Sequence, residues 1–432
     1  MIKIKEEGNL KFEYLCNHEE EVSPVLELFR GKIYTHILKG FIFICINKLG
    51  PDIFNIKKSY PRTLTNLLSS WFFTLYSTYD FKNDYFFPSN FDNMDSLKGT
   101  LKDFSKYNAN LENVDEKIND ICNYLKSIYK SSLDNLNDYK SSQYYNNVKS
   151  NFKISKSEIS QKRNNDEVLF YKFNIEVPFV IKDKRQLNVI DNILIPKYIY
   201  QKLENIYNGP KNKIDTYVWA IVYRYQLLGS NNNQLGVLPD ILKKMNNDLG
   251  LNFECFASAI NFTFHNYCSV YFDLEKYFGS KGNFFDMKAL EGTYSFNPPY
   301  QKNVMDSGIN RLLYLLDNAK SNNKNLTFII TIPIWDKIGK KIMKFTHPEK
   351  KTVPDIDYEE FDSIEKILNS KYFKLKLMIP KNKFTYLDHN FHLYKNVTIQ
   401  HTYILVISTE NKNFQSILGK YNFYDSEQEI VV

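Results

Sequence analysis

The stretch TYSFNPPYQKNVMD, residues 293–306, sets a polar amide, two prolines and an aromatic ring behind a short apolar run. Asparagine before proline is an ordinary turn signal. The same four residues also suit one reaction, methyl transfer to the exocyclic amine of adenine. That amine is a poor nucleophile because its lone pair is delocalised into the ring. A site helps by accepting both amino hydrogens, which localises the lone pair and aims it at the methyl donor. The Asn297 side-chain oxygen and the Pro298 carbonyl are two acceptors at short spacing. Pro298 and Pro299 stiffen the backbone, and Tyr300 offers a face for an extruded base. Such stacking contributes roughly 1–3 kcal/mol per base. The chemistry needs no metal and no strong base.

Two further stretches lie where a methyl donor would sit. In FECFASAIN, residues 253–261, an apolar run ends in Glu254, then Phe256 and the small pair Ala257 and Ser258, with a helix expected to follow. Small residues let a ligand approach the backbone, and a helix start offers free N–H groups. Alone, and without a G-x-G-x-x-G pattern, this is more often an ordinary strand-to-helix turn. In FDLEKYFGSKGNFFD, residues 272–286, Asp273 and Glu275 follow an apolar run where a carboxylate can bind a ribose. Phe278 and Phe285 can flank an adenine ring, although singly each reads as a core aromatic. Asp286 closes the stretch and joins the candidate cofactor set.

Those residues need a scaffold. From residue 251 short apolar runs recur: LNFECF, SVYF, FFDM, TYSF, LTFIITIP, FKLKLMIP and TYILVIS. Helical stretches separate several of them. Residues 304–322, with Ile309, Leu312, Leu313, Leu316 and Ala319 on one face, are the clearest, and 358–370 is another. The rhythm predicts an α/β domain with a mostly parallel sheet, which binds ligands beyond the carboxyl ends of its strands. Upstream, LFYKFNIEVPFVI and LNVIDNILI read as strands, and residues 64–79, 196–207, 215–228 and 239–249 as helices. Residues 101–166 turn polar, with a stripe of Ile118, Ile121, Cys122, Leu125 and Ile128, then a solvated helix end and loop.

The 432 residues leave room for two or three domains, and 16% aromatic content offsets a modest 43% apolar share. A net charge of +7 permits a nucleic-acid partner without requiring one. Five cysteines, an odd number with no C-x-x-C, argue against a disulfide framework or zinc site and fit a reducing compartment. His389, His392 and His401 have no carboxylate at metal spacing, so no metal is expected. The start lacks a signal-peptide core, and the run GFIFICI is too short to span a membrane. A soluble intracellular protein is expected. The basic run KIGKKIMKFTHPEKK, residues 337–351, reads equally as a phosphate grip or a solvated loop. Arg30, Arg62, Arg185 and Arg224 are candidate phosphate contacts.

Together, FECFASAIN, YFGSKG, NPPY and FIITIPIW resemble the phosphorylated-CTD-interacting-factor family of cap-specific adenosine-N6 methyltransferases. The similarity covers residues 238–335 and continues weakly over 393–407, while IPKYIYQKLENIY and VWAIVYRYQLLG look like the family's helices before the core. The resemblance implies S-adenosyl-L-methionine as donor and 2′-O-methyladenosine beside an m7G cap as substrate. The partner is then the m7G-capped mRNA 5′ end, in nucleus or cytoplasm, a viral site included. It also implies a Rossmann-like seven-stranded methyltransferase domain over residues 186–432, core about 246–412, after a mainly helical RNA-binding or accessory domain over 1–185. Carried over by motif, residues 297–300 are catalytic, and residues 254–258 with Phe278, Gly279 and Ser280 bind the cofactor. Trp335 and Asp336 face RNA, with Lys302 beside the tetrapeptide. Where the family usually has Phe this chain has Tyr300, and Gln301 and Lys302 replace acidic residues. Trp71, Trp219 and Trp335 are isolated, so a WW domain, and recruitment to a polymerase tail through it, is not expected. Adenine methylation of internal RNA or DNA, and a non-catalytic RNA-binding subunit, are the alternatives.

Overall fold

The computed structural model describes residues 2–15, 22–50, 60–77, 84–105, 111–163, 166–181, 184–229, 234–334, 363–389, 395–398 and 400–423. The chain divides into two compact units. One gathers Met1–Asn17, Asn232–Phe272 and Gly279–Val432; the other holds His18–Asn231 and Asp273–Phe278. The boundary expected at residue 185 thus falls near 231, and the first strands belong with the last.

The chain opens with an antiparallel hairpin, β1 (Ile2–Glu7) and β2 (Leu10–Leu15), turning at Gly8 and Asn9. Alternating apolar and polar residues on both sides of a Gly-Asn pair are a hairpin signature. The unit that follows carries α1 (Pro24–Leu49), α2 (Tyr60–Ser77), α3 (Asp95–Ser105), α4 (Val114–Ser141) and α5 (Gln143–Val148). An antiparallel sheet of β3 (Lys153–Arg163), β4 (Asp166–Ile181) and β5 (Lys184–Pro196) comes next, then α6 (Lys197–Ile206) and α7 (Ile214–Leu228). The region is therefore helices plus a sheet rather than mainly helical. The polar stretch expected to end as a loop continues as α4. Tyr129, Ser132 and Leu136 extend the buried stripe at helical spacing, and the serines and asparagines between them face solvent.

This unit is held by a buried ion network. Arg30 donates to Glu27 Oε1 at 2.6 Å and Asp84 Oδ2 at 2.7 Å. Arg224 donates to both Glu27 oxygens, at 2.8 and 2.7 Å, and to both Asp273 oxygens, at 2.8 and 2.6 Å. Arg30 and Arg224 are therefore not phosphate contacts: each is buried and already paired. Burial alone raises the Glu27 and Asp84 carboxyls, but the arginines beside them reverse this and hold both below the usual range. At Asp273 burial outweighs Arg224 and the carboxyl lies above its usual range.

The chain then completes the first unit. It adds β6 (Leu235–Val237), α8 (Pro239–Leu249), β7 (Leu251–Glu254), β8 (Lys288–Phe296), α10 (Lys302–Ser321) and β9 (Leu326–Pro333), while the short α9 (Phe272–Glu275) between β7 and β8 belongs from Asp273 onward to the other unit. After these come α11 (Ser363–Leu368), β10 (Phe373–Ile379), β11 (Tyr386–Asp388), β12 (Lys395–Val397), β13 (Thr402–Ser408) and α12 (Phe414–Leu418). The main sheet runs β1-β2-β8-β9-β13-β10, with β7 also paired to β8. β7, β8 and β9 are parallel; β2, β13 and β10 are antiparallel to their neighbours. Single parallel bridges, Glu254 to Tyr267 and Tyr267 to Ser280, continue outward from β7. The runs SVYF and FFDM, expected as strands, are not strands. The sheet is mixed.

Both faces of this sheet are buried, which is why its strands read as unbroken apolar runs. All eight residues of β9 are buried. Tyr403, Leu405 and Ile407 pack with Met305, Ile309, Leu312 and Leu316 of α10, while Ile404 and Val406 join Leu242, Met245 and Leu249 of α8. Burying each such side chain contributes about 1.5–3 kcal/mol. A separate small sheet, β12-β11-β6, belongs to the same unit.

The ion network has a direct test. Arg224→Met leaves Asp273 and Glu27 short of a buried cation and should lower stability at neutral pH by about 3–5 kcal/mol, read by chemical denaturation. Glu27 and Asp84, with depressed folded pKa values, give stability that is present above the ordinary carboxylate range and lost as pH falls through their folded values. The gap between wild type and variant should therefore shrink on acidification.

Candidate functional site

Parallel strands bring their carboxyl ends together, and β7 and β8 are such a pair. β8 ends at Phe296, so Asn297, Pro298, Pro299 and Tyr300 form the connection into α10. Pro298 is buried; the other three are half-buried. The Pro299 carbonyl accepts the Gln301 N–H at 2.7 Å, closing the turn. The Tyr300 hydroxyl donates to Asn297 Oδ1 at 2.9 Å, and Tyr386 Oη on β11 is a second acceptor for it at 3.1 Å. Tyr386 in turn lies 2.6 Å from Thr402 Oγ1 on β13. The two tyrosine rings meet edge to face, centroids 6.2 Å apart at 76°. Burial pushes the Tyr386 phenol up to about 12 and, with Tyr386 beside it, raises Tyr300 well above its usual value. Both hydroxyls keep their protons at neutral pH. Tyr386 and Thr402 carried no signal in the sequence, because only strand pairing distant in the chain brings them to the tetrapeptide.

The turn after β7 is built differently from expectation. No helix follows Ser258; residues 255–266 are turns and bends. Glu254 Oε1 accepts the backbone N–H of Thr263 at 2.5 Å and of Phe264 at 2.9 Å. Ser258 Oγ donates to Gln234 Oε1 at 2.8 Å, and its N–H donates to Asn261 Oδ1 at 2.7 Å. Glu254 and Ser258 thus hold the turn itself. Phe256 and Ala257 remain half-buried at its tip. Phe256 packs near Phe284, Phe285 and Phe296, at 5.0, 6.0 and 5.3 Å between centroids. Phe285 is half-buried and Asp286 exposed.

Other expected cofactor contacts are corrected. Asp273 is bound to Arg224, and Phe278 is buried beside Tyr207 at 5.1 Å; both belong to the other unit. Ser280 is buried and bonded to Ser269 Oγ at 2.7 Å. Gly279, at φ +105°, lies where an added Cβ would stand 2.4 Å from the His265 carbonyl oxygen, so its role is close packing. Lys302 is half-buried at the start of α10. His265 lies in a bend. His401 Nδ1 accepts the Lys381 N–H at 3.2 Å, and His389 is buried with its N–H on the Gln234 carbonyl. Trp335, Asp336, His392, the basic run 337–351 and the side chains of Arg62 and Arg185 lie outside the described residues.

An amide-proline-proline-aromatic connection beyond a parallel strand, beside a small-residue turn, defines a candidate ligand site of an α/β protein. Residues 197–353 match the family model described as "Phosphorylated CTD interacting factor 1 WW domain". Over 124 residues the chain is 36% identical to the mRNA (2′-O-methyladenosine-N(6)-)-methyltransferases of Homo sapiens and Mus musculus. That stretch is 27% of this chain and spans only 17% of the length of each relative. Over these stretches the chain is similar to the phosphorylated CTD interacting factor family. The match overturns the expectation that a WW domain is missing. That expectation rested on the spacing of two tryptophans, whereas the matching model extends over the described residues from α6 to β9. Trp219, within that span, is fully buried and stacked on Tyr223, with centroids 4.9 Å apart.

Close packing at Gly279 can be checked. Gly279→Ala adds both a strained φ and a backbone clash, and should destabilise by at least about 1–3 kcal/mol. A thermal midpoint equal to wild type would contradict this placement.

Proposed function

We propose that the chain transfers a methyl group from S-adenosyl-L-methionine to the N6 amine of the adenosine next to an m7G cap on mRNA, acting on 2′-O-methyladenosine. The observation that carries the reading is Asn297-Pro298-Pro299-Tyr300 at the carboxyl end of β8, next to the small-residue turn that ends β7. The choice of 2′-O-methyladenosine in mRNA follows the activity named for the human and mouse relatives, and the cap-adjacent position follows the family resemblance of the sequence motifs. On the same ground as the family match, a phosphorylated polymerase tail is a proposed partner. We read the two single bridges at Tyr267 and Ser280 as the outer positions of a Rossmann-like seven-stranded order: Ser280, Tyr267, β7, β8, β9, β13, β10.

The residues around the turn suit the donor. Half-buried Phe256 and Phe285 offer apolar faces for a purine, Ala257 leaves room at the backbone, and the exposed Asp286 carboxylate can accept from a ribose or an amine. Bound there, S-adenosyl-L-methionine would supply an electrophilic methyl group. The chain's own residues prepare the amine. Asn297 Oδ1 and the Pro298 carbonyl accept hydrogen bonds from its two N–H groups, so the nitrogen lone pair is drawn out of the ring, and one of the two protons leaves to solvent after methyl transfer. The proline pair fixes both acceptors before substrate arrives, so little ordering is needed. The Tyr300 ring gives the base a stacking face. The 5′ end of a transcript is single-stranded, which makes extruding its first base inexpensive in stacking energy.

The test offers labelled S-adenosyl-L-methionine with RNAs beginning m7G-Am, m7G-A, triphosphate-A or m7G-G, and with a DNA oligonucleotide, followed by digestion to nucleosides. The expected product is N6-methylated 2′-O-methyladenosine from the first RNA. Product only from DNA or internal adenine would sink the cap assignment. Asn297→Ala should slow turnover by about 100-fold or more with the thermal midpoint unchanged.

A further inference from the structure

We propose that Tyr386 is a positioning residue for this transfer. It takes over the Tyr300 hydrogen bond when the adenine amine occupies Asn297 Oδ1. The proposal rests on the function above. Tyr300 carries one hydroxyl proton but has two acceptors in reach, Asn297 Oδ1 at 2.9 Å and Tyr386 Oη at 3.1 Å. Tyr386 is ready to accept. Its own proton can go to Thr402 Oγ1 at 2.6 Å, and Thr402 donates onward to the Gln400 carbonyl at 3.4 Å. Tyr386 and Thr402 are both fully buried, so water does not compete for these bonds.

The arrangement meets two opposed needs of Asn297. Without substrate, a half-buried carbonyl oxygen left unsatisfied is costly, and its amide can turn by half a rotation to present Nδ2–H instead. The Tyr300 proton satisfies the oxygen and holds it in place. With substrate, the amine must donate to that oxygen, and two donors on one oxygen weaken each other. Tyr386 gives the Tyr300 proton somewhere else to go. Oδ1 then carries the amine alone.

Removing Tyr386's hydroxyl therefore leaves Tyr300 competing with the substrate. Tyr386→Phe keeps the ring packing and should lower kcat about five- to tenfold, the worth of one hydrogen bond, with KM for capped RNA unchanged. Thr402→Val, which turns the Tyr386 proton back toward Tyr300, should slow the enzyme likewise. The discriminating variant is the double one. Tyr300→Phe removes the competing donor, so Tyr386→Phe with Tyr300→Phe should be faster than Tyr386→Phe alone. A structural role for Tyr386 gives no such recovery. Wild-type kcat in Tyr386→Phe, or a double variant as slow as or slower than Tyr386→Phe alone, would overturn the proposal. A wild-type protein that makes no N6-methyl product on any substrate overturns the proposed function itself, and this inference with it.

Discussion

In the proposed transfer a single carbonyl oxygen, Asn297 Oδ1, has to be held still and yet left able to accept a hydrogen bond from the substrate amine. The structure answers with the 2.9 Å hydrogen bond from Tyr300 and the tyrosine–threonine pair behind it. Most of the first unit can be understood as support for that point. Tyr300 packs against both core clusters, so its ring is braced from both faces of the sheet. Pro298 is buried beneath the turn. α10 begins at once after it and lies close on β8, where Gly308 leaves no room for a side chain against Phe296. A loose surface loop could present the same four residues but could not keep their acceptors aimed.

The turn after β7 uses a different device. It has no regular helix to stabilise it, so its own polar side chains do the work. Glu254 collects two backbone N–H groups, and Ser258 ties Asn261 to Gln234. These residues shape the surface where a donor would lie, and leave Phe256, Ala257, Phe285 and Asp286 to meet it. Polar residues in a motif can thus build the loop rather than face a ligand.

Much of the scaffold was legible in the sequence. The apolar runs of β9 and β13 and the stripes of α7, α8 and α10 fall within a residue or two of expectation, and β8 ends where TYSF ends although it starts five residues earlier, because both-face burial and helical spacing leave clear patterns. The tetrapeptide was placed at a strand end for the same reason. Other features were not readable. Asp273 and Arg30 looked like ligand contacts, yet Asp273 pairs with Arg224, and Arg30 with Glu27 and Asp84, in a buried network spread over distant segments. No local spacing reveals such a network. Single bridges at Tyr267 and Ser280 are too short for period-two alternation to register. The N-terminal hairpin did carry its signal in the alternation about Gly8 and Asn9. The fourth motif residue was read as a stacking ring, and its hydroxyl acquires a role only once Tyr386 and Thr402 are beside it.

The most direct measurement is a crystal structure with S-adenosylhomocysteine and a short RNA beginning m7G-Am. The account predicts the first adenine extruded against Tyr300, with N6 about 2.7–3.2 Å from both Asn297 Oδ1 and the Pro298 carbonyl oxygen. It also predicts the Tyr300 hydroxyl turned to Tyr386. An adenine bound elsewhere, or one whose N6 lies beyond hydrogen-bond distance of the Asn297 amide or of the Pro298 carbonyl oxygen, would contradict it.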